Sequence, residues 1–203
     1  MIINKPGGIA VNGNRFKTVE NAVADLNKNN KQPDALPRPV AVHRIDVPTK
    51  GMVILAKTKK ALINMSRLFQ ENKVSKKYMA VVHGQPQSKG QINQPIGGKK
   101  STTNFETKRV VPSRFYKHLS LVELSPITGR THQLRIHMKN LGHLILGDKE
   151  YAKKEKTLLG KGLFLCACGL KFPHPITDKT MDFNIQVPRR FVRTMDREEQ
   201  RFQ

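Results

Sequence analysis

Val42-His43-Arg44-Ile45-Asp46-Val47-Pro48-Thr49-Lys50-Gly51 runs straight into Met52-Val53-Ile54-Leu55-Ala56. A cation, a carboxylate, a proline and a glycine thus precede an unbroken apolar run. That order predicts a loop carrying charged groups at the lip of a buried strand. Glycine lets the backbone turn where a side chain would clash, and proline removes a donor that a strand ladder would use. Arg44 and Asp46, two residues apart, are the part with chemical potential. Taken alone, they are accounted for more readily as a solvated ion pair in a turn, since such pairs are common and weak.

Bulk composition points to a partner. At 203 residues the chain suits one domain with a substantial core, plus at most a small appendage. Lys+Arg 37 against Asp+Glu 15 gives a net charge of +22. Such an excess predicts a polyanionic partner, nucleic acid ahead of an anionic membrane surface. As a solubility device it would be a poor one, because basic excess invites non-specific binding. No apolar run approaches the roughly 18 residues of a membrane span. Met1-Ile2-Ile3-Asn4-Lys5-Pro6 lacks the apolar region of a signal peptide. Cys166 and Cys168 are the only cysteines; a reduced, cytoplasmic protein without a disulfide framework is expected. They also lack the second pair that a zinc site needs.

Away from the opening stretch, short strands dominate. Ile2 to Gly8 reads as a strand ending in a turn. Thr18 is placed to N-cap a helix whose apolar positions are Val19, Ala22, Val23 and Leu26. The polar, proline-bearing segment from Asn27 to Pro39 reads as a loop or a mobile insert. Thr58 is a second N-cap, before a helix with the stripe Leu62, Met65, Leu68 and Phe69. Lys76 to Gly84 has strand character, and Gln85 to Lys100 reads as an exposed basic connection. Thr102 to Val111 and Leu119 to Leu124 are expected to pair. A helix should run from about Thr131 to Leu141, closed by Gly142. Leu163 to Leu170 and Met181 to Val187 are two more strands, and Pro188 to Gln203 is a charged tail with weak helical signals. Strands outnumber helices without strict alternation. The expected fold is therefore α+β, a single domain over 1–188 with a mostly antiparallel mixed sheet flanked by helices and loops, followed by the tail 189–203.

A second constellation is Thr128-Gly129-Arg130-Thr131-His132-Gln133-Leu134-Arg135-Ile136-His137. On a helix Leu134, Met138 and Leu141 share a face, and Arg135 sits about a quarter-turn from it. From that flank it is placed to meet a carboxylate. Arg130, Thr131 and His132 crowd the helix start, where free N–H groups and the dipole favour an anion such as phosphate. A basic, solvated helix end is the bland reading of the same residues. His132 and His137, five apart, have the wrong spacing for metal ligands on one helical face.

These blocks resemble the RluA-type pseudouridine synthase family. The carriers are His43-Arg44-Ile45-Asp46 with Thr49-Lys50-Gly51, and Thr128-Gly129-Arg130-x-His132-Gln133-Leu134-Arg135-x-His137. Leu141 to Tyr151, Leu163 to Leu170 with Phe172-Pro173-His174-Pro175, Ile3 to Gly8, and Lys77-Tyr78-Met79-Ala80 are similar to the family's remaining blocks. They follow in the expected order over roughly Ile2 to Pro188. The resemblance implies the pseudouridine synthase fold and an RNA pseudouridine synthase acting on one uridine of ribosomal or transfer RNA.

The resemblance also implies roles. Asp46 would be the carboxylate that acts at the ribose while the N-glycosidic bond breaks and the uracil rejoins through C5. Tyr78 would lie against the uracil and assist proton removal, and Arg135 would pair with Asp46. Arg44 would fill the gap left by the extruded base, with Arg130, His132 and Lys50 on the RNA. No cofactor or metal is required, RNA is the partner, and a monomer is the default. Lys50 departs from the family, which usually has serine there. The chain opens almost at the first block, so an S4-type RNA-binding domain is not expected before it. Two rivals remain: a non-catalytic RNA-binding or ribosome-assembly protein on the same fold, and an RNA-cleaving enzyme with His132 or His137 as its base.

Overall fold

The apolar run Met52 to Ala56 is the buried middle of strand β3, Lys50–Thr58. The computed structural model describes residues 1–14, 16–152 and 161–202. By contact the chain divides into two compact units, Met1–Ser75 with Gly169–Ile185, and Lys76–Cys168 with Gln186–Gln203.

In the first unit β1 (Ile2–Lys5) lies antiparallel to β3, with Ile2 opposite Ile54 and Lys5 opposite Gly51. Strand β2 (Ala35–Ala41) also pairs antiparallel with β3, which corrects the loop expected through Pro39. Pro37 and Pro39 are accommodated because the β2–β3 register is broken between Ala35 and Val40, where missing donors do no harm. Thr18 Oγ1 accepts from Asn21 N–H at 3.1 Å and caps α1, Val19–Ala22. That helix is only one turn long and passes into a 3-10 turn, Ala24–Asn27, which leaves Leu26 exposed rather than on a buried stripe. Thr58 Oγ1 caps α2 (Lys59–Gln70) at Ala61 N–H. Met65, Leu68 and Phe69 pack on a cluster with Met52, Ile54, Val74, Leu170 and Phe172.

The second unit holds the antiparallel order β4 (Ser75–His83), β7 (Lys117–Pro126), β6 (Thr102–Ser113) and β5 (Lys89–Asn93). The β6–β7 hairpin was legible, but β5 lies inside the segment read as an exposed connection. Its Ile92 is buried opposite Thr103. Helix α3 spans Gln133–Asn140, shorter at both ends than expected. It closes as foreseen at Gly142, φ 86, with Gly142 N–H on Lys139 O and His143 N–H on Met138 O, the paired bonds of a glycine-terminated helix. Leu141 falls after the last turn and is exposed, so the buried stripe is Leu134 and Met138 alone.

Strand β8 (Leu165–Pro173) runs through both units, and its last five residues pair antiparallel with β9, Thr180–Asn184. Cys166 and Cys168 are buried thiols on it, and burial pushes the Cys168 thiol up to about 11. Residues read as a tail form α4, Arg189–Gln200, with Phe191, Met195 and Glu198 buried. The architecture is α+β with a mostly antiparallel sheet.

Candidate active site

The loop before β3 carries Arg44, Asp46 and Lys50, and its construction explains how it is held. Residues 46–49 form a turn closed by Thr49 N–H on Asp46 O at 3.0 Å. The carbonyl of Val47, next to Asp46, accepts from Gly8 N–H at 2.7 Å and from Lys5 Nζ at 3.1 Å. Lys5 Nζ also donates to Pro6 O and Ile9 O, at 2.9 and 2.8 Å. Lys5 is fully buried, so its ammonium is surrounded by carbonyl groups instead of water. Burial lowers its pKa to about 8, and the Asp46 carboxylate within Coulombic reach opposes that fall. Gly7 is required by contact: a Cβ there would sit 2.9 Å from Pro48 O. The stem of Lys50 passes beside the same glycine, its Cγ 3.4 Å from that Cβ position. Arg44 itself is exposed, while Ile45 and Thr49 anchor the loop in the interior. His43 accepts from Ile54 N–H through Nε2 and stacks on Phe69.

In the second unit, Arg130, His132 and Arg135 gather around the start of α3. Arg135 is buried and holds Asp148 through two parallel bonds, Nε to Oδ2 and Nη2 to Oδ1, both 2.8 Å. Nη2 also donates to Glu150 Oε2 at 2.8 Å. Such forked pairing fixes a guanidinium in orientation as well as position. Asp148 Oδ1 in turn accepts the N–H groups of Glu150 and Tyr151. His132 caps the helix with φ 53, its Nδ1 2.9 Å from Tyr151 Oη and 3.2 Å from Glu150 Oε1. The carboxylates that Arg135 meets within its own unit are therefore those of Asp148 and Glu150. Arg130 is exposed and donates through Nε to Lys100 O. Tyr78 stands on β4 opposite Leu124, half-buried against the apolar cluster of this unit.

Several supporting residues stood in the matched blocks of the sequence without any role assigned to them. Buried Gln133 accepts from Thr128 Oγ1 and Arg130 N–H while donating to Thr102 O and Thr103 Oγ1, which ties the Thr128–Arg130 turn to β6. Lys5 and Asp148 likewise lie in matched blocks, but what they hold appears only once distant segments meet. His137 is a structural residue: fully buried, it donates from Nε2 to Gln94 O and accepts at Nδ1 from Thr103 Oγ1. Burial lowers its pKa, and both nitrogens are engaged, so it is closed to RNA as a general base. Among the described residues, no three His, Cys, Asp or Glu side chains are grouped to hold a metal.

Comparison with known proteins gives a consistent result. A family model described as RNA pseudouridylate synthase matches residues 1–140, a span that contains Asp46, Tyr78 and Arg135. Ribosomal large subunit pseudouridine synthase D of Zymomonas mobilis is 32% identical over 93% of this chain, which spans 66% of that relative. Dual-specificity RNA pseudouridine synthase RluA of Haemophilus influenzae is 34% identical, with 90% of this chain and 87% of the relative covered. Among solved structures, human RNA pseudouridylate synthase domain containing 4 superposes with a TM-score of 0.75 at 25% identity, covering 97% of this chain and 88% of that one.

Proposed function

The chain belongs to the RNA pseudouridylate synthase family, and from that membership we propose how its residues carry the reaction. It is an RNA pseudouridine synthase, an isomerase whose partner is RNA. Uracil begins bonded to ribose C1′ through N1 and ends bonded through C5. The N1–C1′ bond breaks, the base turns, the C5–C1′ bond forms, C5 gives up its proton and N1 gains one. Atoms and electrons balance without a redox partner or donated group, so the chemistry itself calls for no cofactor.

Asp46 is assigned the work at the ribose, as nucleophile or as base. Either role needs it ionised. The observation that carries this assignment is the turn around it, where a fully buried lysine and a glycine with no room for a Cβ hold the backbone next to one carboxylate. A buried ammonium is a costly element to build into a loop unless its geometry matters. Tyr78 is assigned to the face of the uracil and to removal of the C5 proton. Arg135 completes the catalytic set, oriented by its fork onto Asp148. C5 and the glycosidic carbon are hidden in a stack, so the nucleotide must be extruded at a cost of a few kcal/mol. Arg44, exposed on the Asp46 loop, is assigned the vacated place, for which a flat, permanently charged group is suited. Arg130, His132 and Lys50 are assigned to the RNA around it. The target is a uridine of ribosomal or transfer RNA, in keeping with relatives named for the large ribosomal subunit and for dual specificity. A cytoplasmic monomer acting without cofactor completes the reading.

Release of tritium from C5-labelled uridine in total RNA, taken from a strain lacking the gene, tests it directly. Wild type should release label and Asp46→Asn should release none while still binding RNA. Equal release by the two proteins would remove Asp46 from the mechanism.

A further inference from the structure

His43 stands at the root of the Asp46 loop and makes a bond that backbone would ordinarily make. Val42 N–H donates to Ile54 O at 3.1 Å. One residue on, the chain leaves the strand, and Ile54 N–H donates at 2.9 Å to the Nε2 of His43. Both backbone groups of one β3 residue are therefore gripped by two consecutive residues, the first through its main chain and the second through its side chain. The imidazole is stacked on Phe69 of α2, with centroids 4.6 Å apart and planes 23° apart. Ile54 is only 4% exposed, so its N–H has little water to turn to, and a buried donor left without an acceptor is destabilising.

We propose that His43 is a positioning residue for Asp46, its neutral imidazole clamping the upstream end of the loop to β3 while Lys5 and Gly7 brace the downstream end. The inference rests on Asp46 being the reactive carboxylate. The clamp lies three positions before Asp46, and the Val47 carbonyl that Lys5 holds lies one position after it. Fixing both ends leaves the carboxylate little backbone freedom between them. A nitrogen that accepts a hydrogen bond cannot also carry a proton. Protonating the ring fully would set N–H against N–H, break the clamp and release the loop. The charged groups carried by its own loop and by the two elements it touches are Arg44 and Asp46, Lys50 and Lys57 on β3, and Lys59, Lys60 and Arg67 on α2 with Glu71 at its C-cap. The function of the clamp therefore depends on the imidazole staying neutral, and activity is lost as pH falls through its titration.

Two variants separate the clamp from mere packing. His43→Phe keeps a ring on Phe69 but has no acceptor; His43→Gln offers a carbonyl oxygen and does not titrate. Tritium release is first established for wild type and its absence for Asp46→Asn. For a displacement of about 1 Å, His43→Phe should lose about 10²-fold in kcat with KM little changed, and His43→Gln should retain kcat within about threefold. Wild type should lose activity on the acid side as the ring takes up a proton, and His43→Gln should lack that loss. Exchange of the Ile54 amide should speed up in His43→Phe and return towards wild type in His43→Gln. Full activity in His43→Phe, or an unchanged acid limb in His43→Gln, would overturn the proposal. A wild type that releases no tritium would instead overturn the functional reading, and the exchange of Ile54 would still decide whether the bond exists.

Discussion

At the scale of single residues, Lys5 shows how much of the site is invisible in the sequence. Its neighbours Pro6 and Gly7 marked a turn, but nothing marked Lys5 as buried, because its partners Ile9 O and Val47 O come together only when β1 pairs with β3. Its titration gives a measurable consequence. The folded value of about 8 lies below the ordinary 10.5, so between those values the unfolded chain holds a proton that the folded chain has released. Stability from this group therefore rises with pH across that window. Lys5→Met removes the titration and leaves carbonyl groups without their donor, a loss of about 1–3 kcal/mol near pH 7. The deficit should widen between pH 7 and 10, read as urea midpoints of variant and wild type. A constant deficit would mean that Lys5 titrates normally. Asp46 and Arg44, by contrast, were legible as a motif, since their identity lies in adjacent letters and not in distant contacts.

At the scale of elements, local signals succeeded where the cause is local. Thr18 and Thr58 cap their helices and Gly142 ends α3, because each acts within a few residues. Strands β2 and β5 were missed because their sequences, rich in proline, glycine and polar residues, become strands only through distant partners such as Thr58 and Glu106. Helix α4 was faint for a different reason: Glu198 occupies the third position of its buried face. That carboxylate is satisfied by Ser113 Oγ at 2.6 Å, while Arg109 binds Asp196 and Glu199. The tail is thus an integral part of the second unit, with the Phe191 ring tilted against that of Phe164. Phe191→Ala should cost about 3–5 kcal/mol in unfolding free energy, measured by denaturant titration. The Gly147-Asp148 turn makes a sharper test. A Cβ on Gly147 would lie 2.1 Å from Gly162 O, at φ 77, whereas Gly13 at φ 116 has nothing within 4 Å. Gly147→Ala should cost about 2–5 kcal/mol and Gly13→Ala about 1–2. Equal losses would mean that the crowding at Gly147 relaxes freely.

At the scale of the whole molecule, charge decides how RNA is held. A net charge of +22 on 203 residues exceeds what any folding argument needs, and acidic side chains are drawn into local pairs, as in Arg135–Asp148, Arg109–Asp196 and Lys108–Glu106. Pairing them internally removes the groups that would repel phosphate and leaves the excess to the solvent. Capture of RNA should then be dominated by release of counterions, which makes affinity fall linearly in log Kd against log salt, by about 0.7 per phosphate neutralised on a single strand. The reacting nucleotide adds stacking and hydrogen bonds that salt does not screen. Raising salt should accordingly weaken KM steeply while kcat at saturating RNA stays nearly constant. The decisive comparison is Arg44→Ala against Arg130→Ala, both exposed in the free protein. If Arg130 only meets phosphate, its loss should flatten the salt slope by close to one contact and leave kcat alone. If Arg44 fills the space of an extruded base, its loss should lower kcat in addition, because extrusion belongs to the reacting complex and not to capture. A salt-independent affinity, or identical behaviour of the two variants, would show that the charge excess and the Asp46 loop do not divide the work in this way.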